Sequence, residues 1–425
     1  MHVLGRDDAD EAGGAGGDHG IGGVDGTDGD GGAADIGGAK EHGGTTGIGG
    51  TEGNDGSAGI GEATDGPGVG RRPTVRLGSF LARDGTTGAS VGLDVDGPHA
   101  GVVFGKRGTG KSYTLGVLAE GLADAPGVTP VVVDPMGVFG GLEAADGRIV
   151  DPIVPPAAIP PSAWPELVGL DPERGAGSLL WRAVDAAIER AEERNDADGP
   201  SIAEVRELVE SSDAEASARR AATNHLGLAA SWDVFDESAP SAAALVDGGS
   251  GPSASGDGGR PIVLDLSGVP ETAAAAVVRA VARGLYDARI EGAVDRLPWL
   301  LIDEAHAFFG SVADPALRTL LTRGRAPGVS VVCATQRPSA VPPVAVSQSD
   351  LIVAHRLTAE RDVDRLADAE ATYLAGDLAS RLPTGTGEAL VVDDATETAH
   401  TLRIRERRTP HGGGDPSASD SYRRA

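Results

Sequence analysis

The chain has 425 residues, of which 40% are apolar and only 3% aromatic. That length allows two or three domains, or one large α/β domain with insertions, around a core of Val, Leu, Ile and Ala. No apolar run is long enough to span a membrane, the first residues lack a secretory signal, and the single Cys333 excludes an internal disulfide framework and suits a reducing cytoplasm. Acids outnumber bases by 64 to 36, a net charge of −28, and Lys40, Lys106 and Lys111 are the only lysines. Acid excess with arginine in place of lysine fits a protein of a salt-accumulating, GC-rich microbe, an archaeon in our reading. A carboxylate-dense surface stays hydrated when molar salt screens repulsion.

Residues 1–70 are rich in Gly and Asp and poor in large apolar side chains. Such a segment cannot bury enough surface to offset its ordering entropy, so we expect disorder. A GC-rich string of this kind could also be upstream sequence read before a true start, with Val69 as an alternative start codon.

The texture changes at Arg71. Short strands are expected at 75–78 and 91–95, then a buried strand at Gly101-Val102-Val103-Phe104. A helix follows over 112–122, with Leu115, Leu118, Ala119 and Leu122 on one face. Val131-Val132-Val133-Asp134 is a second buried strand, completing a first core segment over 71–149. Residues 150–235 read as a helical insertion, with a Leu180, Val184, Ile188, Ala191 stripe and a capping box formed by Ser201 and Glu204. Residues 236–260 read as a flexible loop. The second core segment, 261–408, carries strands at 262–266, 299–302, 329–334 and 351–353. A hairpin of 389–392 with 401–405 closes it, before a disordered tail over 409–425. Strands alternating with helices predict a mostly parallel sheet with right-handed crossovers.

Gly105-Lys106-Arg107-Gly108-Thr109-Gly110-Lys111-Ser112 matches the phosphate-loop pattern G-x-x-x-x-G-K-[ST]. Glycines let backbone N–H groups wrap an anion, and the following helix points its positive end at it. In this composition the pattern would arise by chance about 0.01 times. Outside residues 1–70 both lysines lie in this loop, which suggests that Lys111 is kept because a compact ammonium is needed there. Lys111 is expected on the β- and γ-phosphates, Ser112 on Mg²⁺, and Tyr113 beside the nucleotide.

Trp299-Leu300-Leu301-Ile302 runs into Asp303-Glu304-Ala305-His306. One carboxylate at such a strand end can hold the Mg²⁺ shell and the next can orient a water, so Asp303 is assigned to the metal and Glu304 to the water. Gln336, after the strand ending at Ala334, is the candidate γ-phosphate sensor. Arg323 and Arg325 are the candidates for stabilising transition-state charge from a neighbouring subunit, with Arg318, Arg337 and Arg356 nearby in sequence. Cys333 and His306 are read as structural.

The order of these motifs resembles the HerA/FtsK ATPases: Gly105–Ser112, Val133-Asp134-Pro135-Met136-Gly137, Leu301–His306, Arg323-Gly324-Arg325 and Ala334-Thr335-Gln336-Arg337-Pro338-Ser339. Ser347-Gln348-Ser349-Asp350, His355-Arg356-Leu357-Thr358 and the closing hairpin are similar too, so the resemblance spans about 75–408. It implies a RecA-like P-loop NTPase core with a helical insertion and a C-terminal β-hairpin. It also implies a homo-hexameric ring, ATP and Mg²⁺, translocation along double-stranded DNA, and a NurA-like nuclease partner. Asp134 would join the ATP site. Two departures stand out. Met136 and Val138-Phe139 occupy positions where the family carries His and Glu-Tyr, and few residues precede Gly105 to build the family's N-terminal barrel. The leading expectation is a cytoplasmic DNA translocase or helicase. The alternative is a non-translocating NTPase acting as a switch or assembly factor.

Overall fold

The computed structural model describes residues 1–5, 72–247, 259–358, 362–363, 381–393 and 397–413. They all fall within one unit, Met1–Asp8 with Arg72–Ala425. Their strands are β1 (His2–Leu4), β2 (Thr74–Leu81), β3 (Thr87–Asp94), β4 (Ala100–Phe104), β5 (Val128–Asp134), β6 (Arg148–Val150), β7 (Ile262–Asp265), β8 (Leu297–Ile302), β9 (Ser330–Thr335), β10 (Leu351–Ala354), β11 (Glu388–Asp393) and β12 (Thr398–Ile404). They form one sheet in the order β1-β3-β2-β12-β11-β10-β4-β9-β8-β5-β7-β6. From β10 to β6 every pairing is parallel. The pairings from β10 through β11, β12 and β2 to β3 are antiparallel, and β1 adds parallel to β3.

The near-continuous apolar strands follow from burial on both faces. Val102, Phe104, Val131, Val133, Leu300, Ile302, Val331 and Cys333 enter one core. Their neighbours Val103, Val132, Leu301, Val332 and Ala334 enter the other. This is the period-two alternation of a strand. The helices are α1 (Lys111–Ala123), α2 (Trp164–Leu167), α3 (Gly175–Glu193), α4 (Ile202–Ser211), α5 (Ala216–Ala230), α6 (Ala242–Asp247), α7 (Glu271–Ile290), α8 (Asp314–Arg323) and α9 (Pro343–Ser347). Helix α1 fills the second core, whereas α7, α8 and the insertion helices α2–α6 pack into the first. In the insertion, Leu180, Val184 and Ala191 are buried as the stripe requires, and Ser201 and Glu204 exchange both bonds of the capping box.

Several boundaries differ from the sequence reading. The expected disordered segment begins with a strand: Leu4 is fully buried and Gly5 N–H donates to the Asp393 carboxylate. Three residues are too few to carry a periodic signal. The rest of that segment, 6–71, lies outside the described residues, as do 248–258 and 414–425. The expected loop at 236–260 contains α6, because Leu245 and Val246 pack into the core. Strand β6 went unread because its middle residue, Ile149, is partly exposed. No described helix is long and apolar enough to cross a membrane.

The tail expected from 409 instead continues a strap, residues 405–413, across α1. Its anchor is Glu120, fully buried on α1. The carboxylate accepts from Arg405 Nη1 at 2.7 Å, Thr409 Oγ1 at 2.7 Å and the backbone N–H groups of Arg408 and Thr409. Arg407 N–H donates to the Tyr113 hydroxyl, and Gly412 N–H reaches the Val138 carbonyl. Burial alone would raise the Glu120 carboxyl, but these hydrogen bonds override it and hold it at about 2. With the folded value below the ordinary 4.5, this contribution to stability is complete above pH 4.5 and disappears as the pH falls towards 2. Glu120→Ala should cost on the order of 3 kcal/mol in chemical denaturation at pH 7, since it strands buried guanidinium and N–H donors. The gap between variant and wild type should close on acidification.

Candidate active site

Strand β4 is central and wholly buried, and the loop 105–110 leaves its carboxyl end. Gly105 must be glycine: a Cβ there would lie 2.5 Å from Thr109 Oγ1 and 2.7 Å from His355 Cβ. Gly110, at φ +120°, is the residue before α1 and offers that helix no side-chain cap. The first turn of α1 also has no acidic residue, so its leading N–H groups are open to an anion. The loop is pinned from outside. Lys106 N–H donates to the Arg356 carbonyl and Gly387 N–H to the Thr109 carbonyl, while Thr109 Oγ1 donates to the Lys106 carbonyl at 2.7 Å. Lys106, Arg107 and Gly108 form the exposed crest.

The loop faces the acid pair across two strand spacings, with β9 between β4 and β8. Ser112 Oγ donates to Asp303 Oδ2 at 2.6 Å, which joins the two motifs directly. Asp303 is almost fully buried. Burial pushes its carboxyl up, with the Ser112 bond opposing and the Glu304 charge adding to the rise. Burial pushes the Lys111 ammonium down, against the attraction of Glu304 and Asp303. Its Nζ contacts only the Lys106 carbonyl, at 3.5 Å. This is a cation poised between two acids and an open amide cup.

A Mg²⁺ ion fits this donor set. No group of three or more His, Cys, Asp or Glu residues among the described residues could cage a metal. One carboxylate and one hydroxyl side by side instead suit an ion completed by phosphate oxygens and water. Ser112 and Asp303 are the residues that would hold it.

Glu304 adopts φ 46°, ψ 40°, a left-handed conformation that turns its side chain away from the direction Asp303 takes. Its N–H donates to Asp303 Oδ1. Its Oε2 is buried without a hydrogen-bond partner. Gln336 follows Thr335, which is paired with Phe104, so the sensor candidate emerges beside Gly105, between loop and acids.

The other sequence candidates are placed differently. Asp134 ends β5 next to Asp303's strand, but its oxygens accept from Met136, Val138 and Phe139 N–H groups and shape the following loop. Burial raises its carboxyl nonetheless. The Tyr113 side chain faces the strap, with its hydroxyl on Arg407 N–H and its ring on His411. Arg323 and Arg325 lie before β9, at the amino ends of the strands, and Arg325 pairs with Asp350 at 2.7 Å. Neither belongs to the site of its own chain. Cys333 is a core residue, with burial pushing its thiol up to about 12.

One important residue was not singled out from sequence. His355 is buried behind the loop, with Nδ1 on the Glu388 carbonyl at 2.8 Å and Nε2 on Thr114 Oγ1 at 2.9 Å. It locks β10, β11 and α1 against the phosphate loop. Its sequence signals were its place in the family-like stretch His355–Thr358 and its position directly after the apolar run Leu351–Ala354, neither of which gave it a role. Burial pushes its imidazole down to about 4, with the Glu388 carbonyl opposing and Lys111 reinforcing the drop.

A glycine loop on a buried central strand, an uncapped helix and an acid pair two strands away define a P-loop ATPase core of RecA-like architecture. Residues 75–285 match the family model described as helicase HerA, central domain, and over that stretch the chain is similar to the HerA/FtsK type of P-loop ATPase. Among solved structures, VirB4 of Thermoanaerobacter pseudethanolicus aligns at 16% identity and TM-score 0.59, covering 80% of this chain and 99% of that one. The bacterial conjugative coupling protein TrwB, lacking its first 70 residues, aligns at 17% identity and TM-score 0.50, covering 82% and 99%. No curated protein matches the sequence.

His355 gives a pH test. Its folded value lies below its ordinary 6.5, so the unfolded chain takes up a proton that the folded chain refuses as the pH falls from 6.5 towards 4. Folding stability should therefore drop through that window, by about 3 kcal/mol from this residue alone. His355→Gln should flatten that limb of the pH–stability curve while lowering stability at pH 7.5.

Proposed function

We propose that the chain is an ATP-hydrolysing, HerA-like motor that moves DNA. The observation that carries this reading is the 2.6 Å hydrogen bond between Ser112 and Asp303. It supports reading the phosphate loop and the acid pair as one site, with a hydroxyl and a carboxylate side by side where a Mg²⁺ ion would be held. The α1 N–H groups and the Gly105–Gly110 loop hold the triphosphate, and Lys111 neutralises its terminal oxygens. Ser112 and Asp303 would hold a Mg²⁺ ion, which would supply electrostatic stabilisation of charge developing on the phosphates. Glu304 accepts a hydrogen bond from the attacking water and aligns it. Gln336, just after the strand between the two motifs, contacts the γ-phosphate and registers its departure.

The similarity of residues 75–285 to the helicase HerA central domain supports DNA as the partner. A homo-hexameric ring and a NurA-like nuclease belong to the same reading, as does a cytoplasmic location. The net charge of −28 does not weigh against DNA. Counterion release contributes little in molar salt, and the acid-rich composition fits a halophilic archaeal protein.

The test is ATPase rate in molar KCl, with and without duplex DNA. Wild type should hydrolyse ATP and be stimulated by DNA, and Glu304→Gln should lose at least about 100-fold in kcat while still binding ATP. Lys111→Ala should abolish binding of a fluorescent ATP analogue. Tight binding by that variant would refute the loop assignment, and hydrolysis indifferent to DNA would favour the non-translocating switch.

A further inference from the structure

His306 stands between the acid pair and the sensor strand, and the ATPase reading gives it no task. Its Nδ1 is 3.2 Å from Thr335 Oγ1, a hydrogen bond. The same Nδ1 is 3.2 Å from Glu304 Oε2, but not aligned as a hydrogen bond. Thr335 is fully buried, and its oxygen also accepts from Arg337 N–H at 3.0 Å. The Thr335 hydroxyl therefore ties the turn around Gln336 to the imidazole. The imidazole in turn sits against the one buried carboxylate oxygen of the acid pair that lacks a partner.

A neutral imidazole has one hydrogen or one lone pair at Nδ1, not both. It can accept from Thr335, or it can donate to Glu304, but it cannot do the two together. Burial and the nearby Arg337 and Lys111 charges push His306 towards its neutral form. The observed geometry pairs Nδ1 with Thr335 and leaves the buried Glu304 Oε2 without a hydrogen-bond partner.

We propose that His306 is a positioning residue for ATP hydrolysis, whose Nδ1 exchanges between Thr335 and Glu304 and so couples the water-orienting carboxylate to the Gln336 loop. Movement of that loop by a γ-phosphate shifts Thr335, and the imidazole then releases or restrains Glu304. The proposal rests on the ATPase reading and adds a coupling element to it.

Steady-state ATPase measurements on full-length variants test it. His306→Leu should lower kcat on the order of 10- to 100-fold with KM for ATP within about twofold, because phosphate binding is untouched. His306→Asn places an amide at the Nδ1 position and, by flipping, can donate or accept there. It should recover to within about threefold of wild type, whereas His306→Gln, whose amide sits at the Nε2 position, should not. Thr335→Val should lower kcat as His306→Leu does, Thr335→Ser should not, and the Leu/Val double variant should be no worse than either alone. If His306→Leu does not fold, Thr335→Val reports on the same contact from the other side. Wild-type kcat in Thr335→Val or His306→Leu, a loss that Asn fails to restore, or additive losses in the double variant would each overturn the coupling while leaving the ATPase intact. A wild-type protein without ATPase activity would overturn both.

Discussion

The site depends on one short contact, from the Ser112 hydroxyl to the Asp303 carboxylate. A buried carboxylate with no donor would be expensive, and Asp303 is almost fully buried. The Ser112 hydroxyl and the Glu304 N–H meet that need. The same hydroxyl and carboxylate are where a hard divalent cation would sit. A Thr at 112 would keep that chemistry, but an Ala would leave Asp303 half-satisfied in the interior.

Holding this contact requires rigidity behind it, which comes from polar groups buried away from the site. On one side, His355 bridges Thr114 of α1 and the Glu388 carbonyl at the start of β11. On the other, Glu120 gathers the strap residues Arg405, Arg408 and Thr409 onto α1. Helix α1 is thus clamped near its first and its last turn. The phosphate loop is short and glycine-rich, and it has little stiffness of its own. Its shape is imposed by β10, by the turn at Gly387 and by a helix that cannot slide.

The strands most legible in sequence were those buried on both faces. Runs such as Val131–Val133 and Trp299–Ile302 announce themselves because no residue in them is allowed to be polar. The loop and acid pair were legible for a related reason, since their chemistry restricts residue type at each position. The roles of His355, Thr335 and Glu120 were not legible, because each acts through partners distant in sequence: Thr114 lies 241 positions from His355, His306 29 from Thr335 and Thr409 289 from Glu120. One histidine or glutamate in a string of apolar residues looks the same whether it is satisfied or exposed. Strand β1 was hidden by its length, and the strap by its composition. Arg405 to Thr409 reads as a solvated basic end until Glu120 is seen beneath it. Asp134 ends the strand beside that of Asp303, where the resemblance sets it, and the structure adds that its oxygens also accept from three loop N–H groups.

The two arginine candidates show how topology limits chemistry. Strand β9 runs from Ser330 beside the α8 turn to Thr335 beside the phosphate loop. At ~3.3 Å per residue those ends are ~17 Å apart. Arg323 and Arg325 enter at the amino end, where Arg325 is paired with Asp350, which also contacts His99 and the Ala100 N–H. An arginine side chain cannot cross the length of a packed sheet, so neither residue can touch a triphosphate held by its own loop. Any transition-state role for them requires a second copy of the chain, set so that its strand amino ends face this chain's loop. The sheet therefore ties the catalytic arginine question to the assembly question. A protomer acting alone would lack an arginine from this pair.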